Sequence, residues 1–381
     1  MTTSDRSSER VRVLIVDDSA LMRKLLGDVL KTAPEIEVVG TARDGAEAIE
    51  KTAQLRPDVV TLDVEMPGMS GLEALPLIQA AHDASVIMVS AFTQEGADIT
   101  LAALERGAID FFPKPERQQL AHVRESRDVL VAKILSAAHH LPTRKRREPI
   151  QGTSTESSIP RFRSRPSPPS SAPSRSGEHD LRAEVEIPQA RRPQCIVIGI
   201  STGGPQALGQ YLAQVTAPTP PILIVQHMPA QFTAVFAQRL DRACSLSVKE
   251  AEEGDRLMPN RVLIAPGGRH MAVTGRPPLV RIALSDGAAV SSHKPSVDVL
   301  FHSAARVYQG DVAGIIMTGM GRDGVIGCKA ILEVGGMTFG QDEASSAVYG
   351  MNKAAFLEGG VSFQFSLDQF PALIKKLSPS S

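Results

Sequence analysis

Short apolar runs rich in β-branched residues alternate along this chain with stretches whose apolar positions recur every three or four residues. VRVLIV (11–16), EVVG (37–40), DVVTLD (58–63), VIMVSA (86–91) and IDFFP (109–113) read as strands. Between them, 20–31, 45–54, 71–80 and 96–106 read as amphipathic helices, with Leu21, Leu25 and Val29, or Ala46, Ile49 and Ala53, on one face. Five βα units predict a doubly wound five-stranded parallel sheet. The rhythm returns after residue 194: CIVIGIS, a helix from about Pro205, PILIVQH, a helix over 231–240, RVLIAPG, then AGIIMTGM and a helix from about Gly324. A second α/β domain is expected there, and no repeat of fixed period is visible.

The patterning stops between the two. Residues 142–192 hold eight Pro, nine Ser and two Gly, with eleven Arg or Lys against six Asp or Glu. Such a stretch cannot bury enough apolar surface to offset its chain entropy, so it reads as an extended, mobile tether. The expected division is a polar tail over 1–10, a first domain over 11–135, a Pro/Ser/Arg-rich linker over 136–193 and a second domain over 194–381. At 381 residues, two cores are the ordinary expectation. A formal net charge of −1 gives no footing for nucleic-acid binding, and no clustered basic recognition helix follows residue 194. Cys195, Cys244 and Cys328 are odd in number and widely spaced, against both a disulfide framework and a zinc cluster. No apolar run approaches the ~18 residues of a membrane span, and MTTSDRSSER has no signal-peptide core, so a cytoplasmic chain without membrane insertion is expected.

Candidate chemistry in the first domain lies at the carboxyl ends of its strands, where an open parallel sheet places its ligands. Asp17 and Asp18 follow the first strand, Asp63 ends the third, and Ser90 and Lys114 end the fourth and fifth. Hard oxygen ligands suit Mg²⁺, a lysine ammonium and a hydroxyl can meet phosphoryl oxygens, and one carboxylate is left as a nucleophile. VDDS (16–19), DVEMPGMSG (63–71), Ser90 and PKP (113–115) resemble the receiver domain of response regulators, a flavodoxin-like fold. That resemblance implies phosphorylation at Asp63, Mg²⁺ held by Asp17, Asp18, Asp63 and the backbone carbonyl of Glu65, and phosphoryl contacts from Ser90 and Lys114. It further implies a cis peptide before Pro115 and a switch aromatic at Phe111, which a core phenylalanine explains equally well. Ser70, where many receivers carry Asn or Asp, reads as a helix cap.

In the second domain, Ser201 directly follows an apolar strand and precedes a helix opened by Pro205. Glycines 199, 203 and 204 keep the turn open for backbone N–H groups to approach an oxyanion. GISTGG is not the GxGxxG of a dinucleotide site. A serine needs a base, and His227 ends PILIVQH with a proline two residues on; His270 in APGGRHM competes for the role. Asp323, in a glycine-rich turn after another strand, is the candidate orienting carboxylate. Thr202 reads as a polar neighbour of the nucleophile.

GISTGGPQAL, QHMPAQFTAVFAQRLD, APGGRHM, PSVDVLFHSAA and TGMGRDG resemble the chemotaxis methylesterase family, CheB, over about 194–375. The resemblance implies a Rossmann-like α/β catalytic domain. Ser201 would be its nucleophile, His227 its general base, Asp323 its orienting acid, and the Met320 backbone N–H part of its oxyanion hole. The implied reaction is hydrolysis of glutamate methyl esters on methyl-accepting chemotaxis receptors, with deamidation of receptor glutamines, and no cofactor for the hydrolysis. The phosphodonor would be the histidine kinase CheA, with phosphorylation relieving inhibition by the receiver. Two rivals are a phosphorylation-dependent binding module without catalysis and a receiver with a DNA-binding output.

Overall fold

A computed structural model describes residues 10–90, 93–114, 123–139 and 192–379. Residues 140–191, which hold nearly all of the tether, and Pro115 lie outside these residues. In the first domain β1 (Val11–Val16), β2 (Ile36–Ala42), β3 (Val59–Asp63), β4 (Ser85–Ser90) and β5 (Asp110–Pro113) alternate with α1 (Ala20–Leu30), α2 (Gly45–Leu55), α3 (Gly71–Ala81), α4 (Gln94–Glu105) and α5 (Val123–His139). Every pairing is parallel, in the order β2-β1-β3-β4-β5. The central strands are buried on both faces, which is why they read as unbroken apolar runs. The order reverses between β1 and β3, so their carboxyl ends open the crevice that gathers the acidic residues. Helix α5 continues four residues beyond the expected boundary at 135. Its face of Leu130, Ile134 and Ala137 stays buried, and Ser85 Oγ bonds the Ala137 carbonyl at 2.8 Å. Ala137, a small residue, carried no periodic signal strong enough to mark that last turn.

The second domain comprises β6 (Cys195–Ile200), α6 (Gly204–Tyr211), β7 (Ile222–Gln226), α7 (Ala230–Ala243), β8 (Ser247–Glu250), β9 (Arg261–Ile264), β10 (His270–Arg276), β11 (Leu279–Ser285), α8 (Val297–Tyr308), β12 (Val312–Ile316), α9 (Val325–Glu333), β13 (Met337–Gln341), α10 (Met351–Leu357), β14 (Phe363–Phe365) and α11 (Phe370–Leu377). Its main sheet is parallel and seven-stranded, in the order β14-β13-β12-β6-β7-β9-β8. Only four of these strands stand out in the apolar patterning. The outer ones, such as SVKE and FQF, are short and half-buried. The antiparallel hairpin β10–β11 packs its buried Met271, Val273, Val280 and Ile282 into the same core as α8. Chain order turns back at β6, flanked by β7 and β12, so three strand ends meet at one switch point. No described helix is long and apolar enough to cross a membrane. The described parts of both α/β domains belong to one compact unit.

Candidate active site and phosphoacceptor pocket

Ser201 stands at the carboxyl end of β6 in a turn that depends on missing side chains. A Cβ on Gly204 would lie 2.0 Å from Gln226 Oε1, and one on Gly319 would lie 2.6 Å from the Ser201 Cβ. Gly203 holds a φ of 78°, a left-handed conformation that glycine adopts at little cost. The turn is tied by Ser201 N–H to the Thr318 carbonyl (2.9 Å), Gln226 Nε2 to the Ser201 carbonyl (3.0 Å) and Thr318 Oγ1 to the Thr202 carbonyl (2.9 Å).

His227 follows β7, and its Nε2 lies 2.8 Å from Asp323 Oδ2. With Asp323 ionised, Nε2 carries the proton and Nδ1 is the basic nitrogen. Nδ1 is buried and has no hydrogen-bond partner among the described residues. Burial is the largest influence on the imidazole and holds its pKa below the ordinary histidine value, although the bond to Asp323 opposes it. Burial alone would raise Asp323, but the His227 bond and the backbone N–H groups of Asp298 and Val297 outweigh it and keep the carboxyl low. At neutral pH the pair is therefore a neutral base on a carboxylate. His270 instead bonds the Ala288 carbonyl at 2.9 Å and takes no part in this cluster.

Six contacts here were not anticipated from the sequence. Asp323 accepts from Ser296 Oγ (2.8 Å) and from the backbone N–H groups of Val297 (2.7 Å) and Asp298 (3.0 Å). The start of α8 thus fixes the carboxylate on three sides. Asp298 accepts from the N–H groups of Gly324 (3.0 Å) and Gly327 (2.7 Å), clamping the loop that bears Asp323. Burial, with Asp323 beside it, pushes its own carboxyl up. The sixth is a second imidazole, His293, stacked on His227. PSVDVLFHSAA carries the family resemblance, but nothing in its spacing shows that three of its groups converge on Asp323. Met320 follows Gly319 at the rim, and its N–H has no acceptor among the described residues.

In the first domain, oxygens of Asp17, Asp18 and Asp63 lie within 4.8 Å of one another. Lys114 Nζ sits 2.6 Å from Asp63 Oδ2 and 3.0 Å from Asp17 Oδ2. Burial, aided by the Asp17 charge, pushes the Asp63 carboxyl up to about 6 against the opposing bond from Lys114. This surplus of buried negative charge and hard oxygen donors suits a small divalent cation. A cavity of about 580 Å³ opens here, lined by Asp18, Asp63, Glu65, Met66, Ser70 and Lys114 among others. Ser70 caps α3 in a reciprocal capping box with Glu73, and Gly71 is required because a Cβ would meet the Asp63 carbonyl oxygen at 2.0 Å. Ser90, fully buried, donates to the Gly96 carbonyl in α4 at 3.3 Å.

The two sites are joined. Thr202, beside Ser201, donates from Oγ1 to Asp110 Oδ2 of β5 at 2.5 Å, and Lys133 of α5 holds the same oxygen at 2.6 Å. Phe111 stacks on Phe232 of α7 with centroids 4.4 Å apart. Arg239 of α7 reaches Asp98 (3.3 Å) and Glu105 (3.1 Å) of α4.

Residues 196–374 match the model of the CheB methylesterase family, and residues 13–124 that of the response regulator receiver domain. A protein-glutamate methylesterase/protein-glutamine glutaminase of Treponema denticola is 42% identical over 97% of this chain and 98% of its own. One of Pyrococcus horikoshii is 41% identical over 96% of this chain and 93% of its own. Among solved structures, the CheB methylesterase catalytic domain of Thermotoga maritima is 34% identical, covering 49% of this chain and 97% of its own, with a TM-score of 0.47.

Proposed function

The chain belongs to the CheB family of receiver-linked protein-glutamate methylesterases and glutaminases, and from that premise we propose a Ser201–His227–Asp323 mechanism governed by phosphorylation of Asp63. Ser201 Oγ attacks the γ-carbonyl carbon of a glutamyl methyl ester while its proton passes to His227 Nδ1. The Met320 N–H meets the oxyanion. Collapse expels methanol, which takes the proton from His227. Water then attacks the acyl carbon, His227 again accepts the proton, and the second collapse returns it to Ser201 and frees glutamate. For glutamine the leaving group is ammonia. The observation that carries this reading is the 2.8 Å bond between His227 Nε2 and Asp323 at the Ser201 switch point, which fixes the tautomer and leaves Nδ1 basic. The substrates are cytoplasmic segments of methyl-accepting chemotaxis receptors.

In the receiver, Asp63 takes the phosphoryl group from the phosphohistidine of CheA. Asp17, Asp18, Asp63 and the Glu65 carbonyl would hold Mg²⁺, which when bound offsets the phosphoryl charge. Lys114 and Ser90 meet the phosphoryl oxygens. Ser90 already bonds the first turn of α4, and α4 carries Asp98 and Glu105 against Arg239. Drawing Ser90 and Lys114 toward about −2 of new charge loosens that packing and uncovers the serine. The test is methanol release from radiomethylated receptor membranes, with and without acetyl phosphate and Mg²⁺. Release should vanish in Ser201→Ala and respond to phosphodonor only while Asp63 is present. No release from several receptor preparations would sink the reading in favour of a non-catalytic module.

A further inference from the structure

The hairpin β10–β11 buries one face in the catalytic core and turns the other to solvent, and the charges on that outer face are all of one sign. Residues 254–258 extend the ribbon along β11: the N–H groups of Gly254 and Leu257 donate to the carbonyls of Ile282 (3.0 Å) and Val280 (3.3 Å), and Arg256 bridges Arg281 in antiparallel register. On the other side of β11, Thr274 pairs with Arg281 and Arg276 with Leu279. Val273, Leu257, Val280 and Ile282 turn toward the core, so the residues that alternate with them point outward. Two rows result. Arg256, Arg281 and Thr274 stand side by side in one, and Met258, Leu279 and Arg276 in the next. All six are exposed, Leu279 to 63% and Met258 to 49%.

Among the described residues no carboxylate answers these arginines. Arg256 and Arg276 make no side-chain hydrogen bond or ion pair there, and Arg281 donates to the Gly254 carbonyl at 2.9 Å. The acids of the adjoining segment are committed elsewhere, Glu252 and Asp255 to Lys249 and Glu253 to the Leu284 N–H. Like charges directly opposite on one sheet face are destabilising, so Arg256 and Arg281 are held together against repulsion. Arginines that served only to guard a sheet edge would stand on the outer segments, whereas Arg281 and Leu279 lie on the central strand. We propose that this face docks an acidic amphipathic helix of a partner protein. The guanidinium fork matches a carboxylate in two parallel hydrogen bonds, and all three cations are arginine. Met258 and Leu279 add an apolar strip beside them. An extended segment turns alternate side chains to opposite faces and cannot lay an acidic and an apolar stripe side by side. A helix can, with carboxylates about 5–6 Å apart at i and i+4, within the reach of arginines spaced about 5 to 8 Å across the ribbon. None of these side chains bonds Ser201, His227 or Asp323, so the contact is separate from the catalytic cluster.

The test follows the fluorescence anisotropy of a labelled peptide of repeated Glu-Leu-Ala-Gln, in which Glu and Leu fall on neighbouring helical stripes, titrated with the full chain. Saturable binding with a Kd below about 100 µM at low salt is expected, weakening as salt is raised. Each of Arg256→Ala, Arg276→Ala and Arg281→Ala should weaken it about three- to fivefold, as for exposed ion pairs, and the three together about 30- to 100-fold. Replacing all three by Glu should abolish binding of this peptide and create binding of one with Lys in place of Glu. Arg256→Ala should melt no lower than wild type, because it relieves repulsion and breaks no bond; a lower melting temperature would assign Arg256 to the fold and overturn the proposal. No saturable binding, unchanged binding in the triple Ala variant, or equal binding of a peptide with Pro at its centre would overturn it as well. So would tighter arginine-dependent binding of phosphatidylglycerol vesicles or of duplex DNA. The readout is binding alone, so the outcome is the same whether or not Ser201 hydrolyses esters.

Discussion

Arg239→Ala offers the sharpest probe of the proposed closure of the catalytic cleft by the receiver. Arg239 is 23% exposed, while its partners Asp98 and Glu105 are 56% and 52% exposed. Pairs this open to solvent contribute at most about 1 kcal/mol each, and long side chains share that gain with entropy, so about 1 kcal/mol in total is a fair measure. The rest of the contact survives the substitution. Phe111 and Phe232 remain stacked and buried, and Thr202 still donates to the Asp110 oxygen that Lys133 neutralises. One kcal/mol changes an open-to-closed ratio by about fivefold. Basal methanol release without phosphodonor should therefore rise about fivefold in Arg239→Ala, while the fully phosphorylated rate stays within about twofold, because the Arg239 ion pairs run to α4 and not to the Ser201, His227 and Asp323 cluster. Salt gives an independent check. Between about 0.1 and 1 M the Debye length falls from about 10 to 3 Å, so wild-type basal release should climb with salt and the variant's should not. Arg239→Glu should exceed Arg239→Ala, and adding Glu105→Arg should bring the rate back down. A variant with the wild-type basal rate and the wild-type salt response would refute the reasoning.

Three other outcomes follow from the same geometry. Gly204→Ala places a methyl 2.0 Å from the buried Gln226 Oε1 and displaces the side chain that bonds the Ser201 carbonyl; it should cost about 1–3 kcal/mol in thermal unfolding and about 100-fold in kcat. Because burial holds His227 below its ordinary value of 6.5, the acid limb of kcat/KM should lie below that pH and the rate should be flat from pH 7 to 8; a limb centred above pH 7 would contradict the assignment. Asp63 is raised from 3.8 to about 6, so the folded state binds the extra proton and stability should fall as pH rises through that window. Above pH 7, Asp63→Asn should then melt higher than wild type, and millimolar Mg²⁺ should raise the wild-type melting temperature less at pH 5.5 than at pH 7.5.

What could be seen in the sequence were groups whose position is set by local rules. A strand end in a parallel sheet points its residues into the crevice, so Ser201, His227, Asp63 and Lys114 were visible from apolar runs and the turns that stop them. Groups placed by long-range closure were not visible. Ser296 and Asp298 matter because α8 arrives beside a loop 25 to 29 residues further on, and no periodicity records that meeting. His293 depends on two serines taking left-handed conformations, which their residue type disfavours. The hairpin β10–β11 shows only one buried face and alternates with charge, so it fell below the threshold of an apolar run. Asp110 carries no signal of its own within IDFFP, because its partners lie on α5 and in the other domain.

Strand β5 explains why these long-range contacts form one device. It spans four residues, Asp110–Pro113, with Lys114 immediately after. Lys114 bonds Asp63 at one end, and Asp110 holds the Thr202 hydroxyl next to Ser201 at the other. At about 3.3 Å per residue the backbones of Asp110 and Lys114 stand roughly 13 Å apart along a single extended segment. That segment is paired in register with β4 from Ile87 to Ser90, so it cannot stretch and transmits displacement as a unit. Ser90 closes the same register and bonds α4, whose acidic side chains meet Arg239. Under the proposed control, a phosphoryl group at Asp63 would therefore draw on two neighbouring strand ends that lead to two polar attachments, among the described residues, of the receiver to the catalytic domain. Breaking Arg239 alone should loosen one attachment and leave the other responsive, which is why partial rather than full activation is the expected basal outcome.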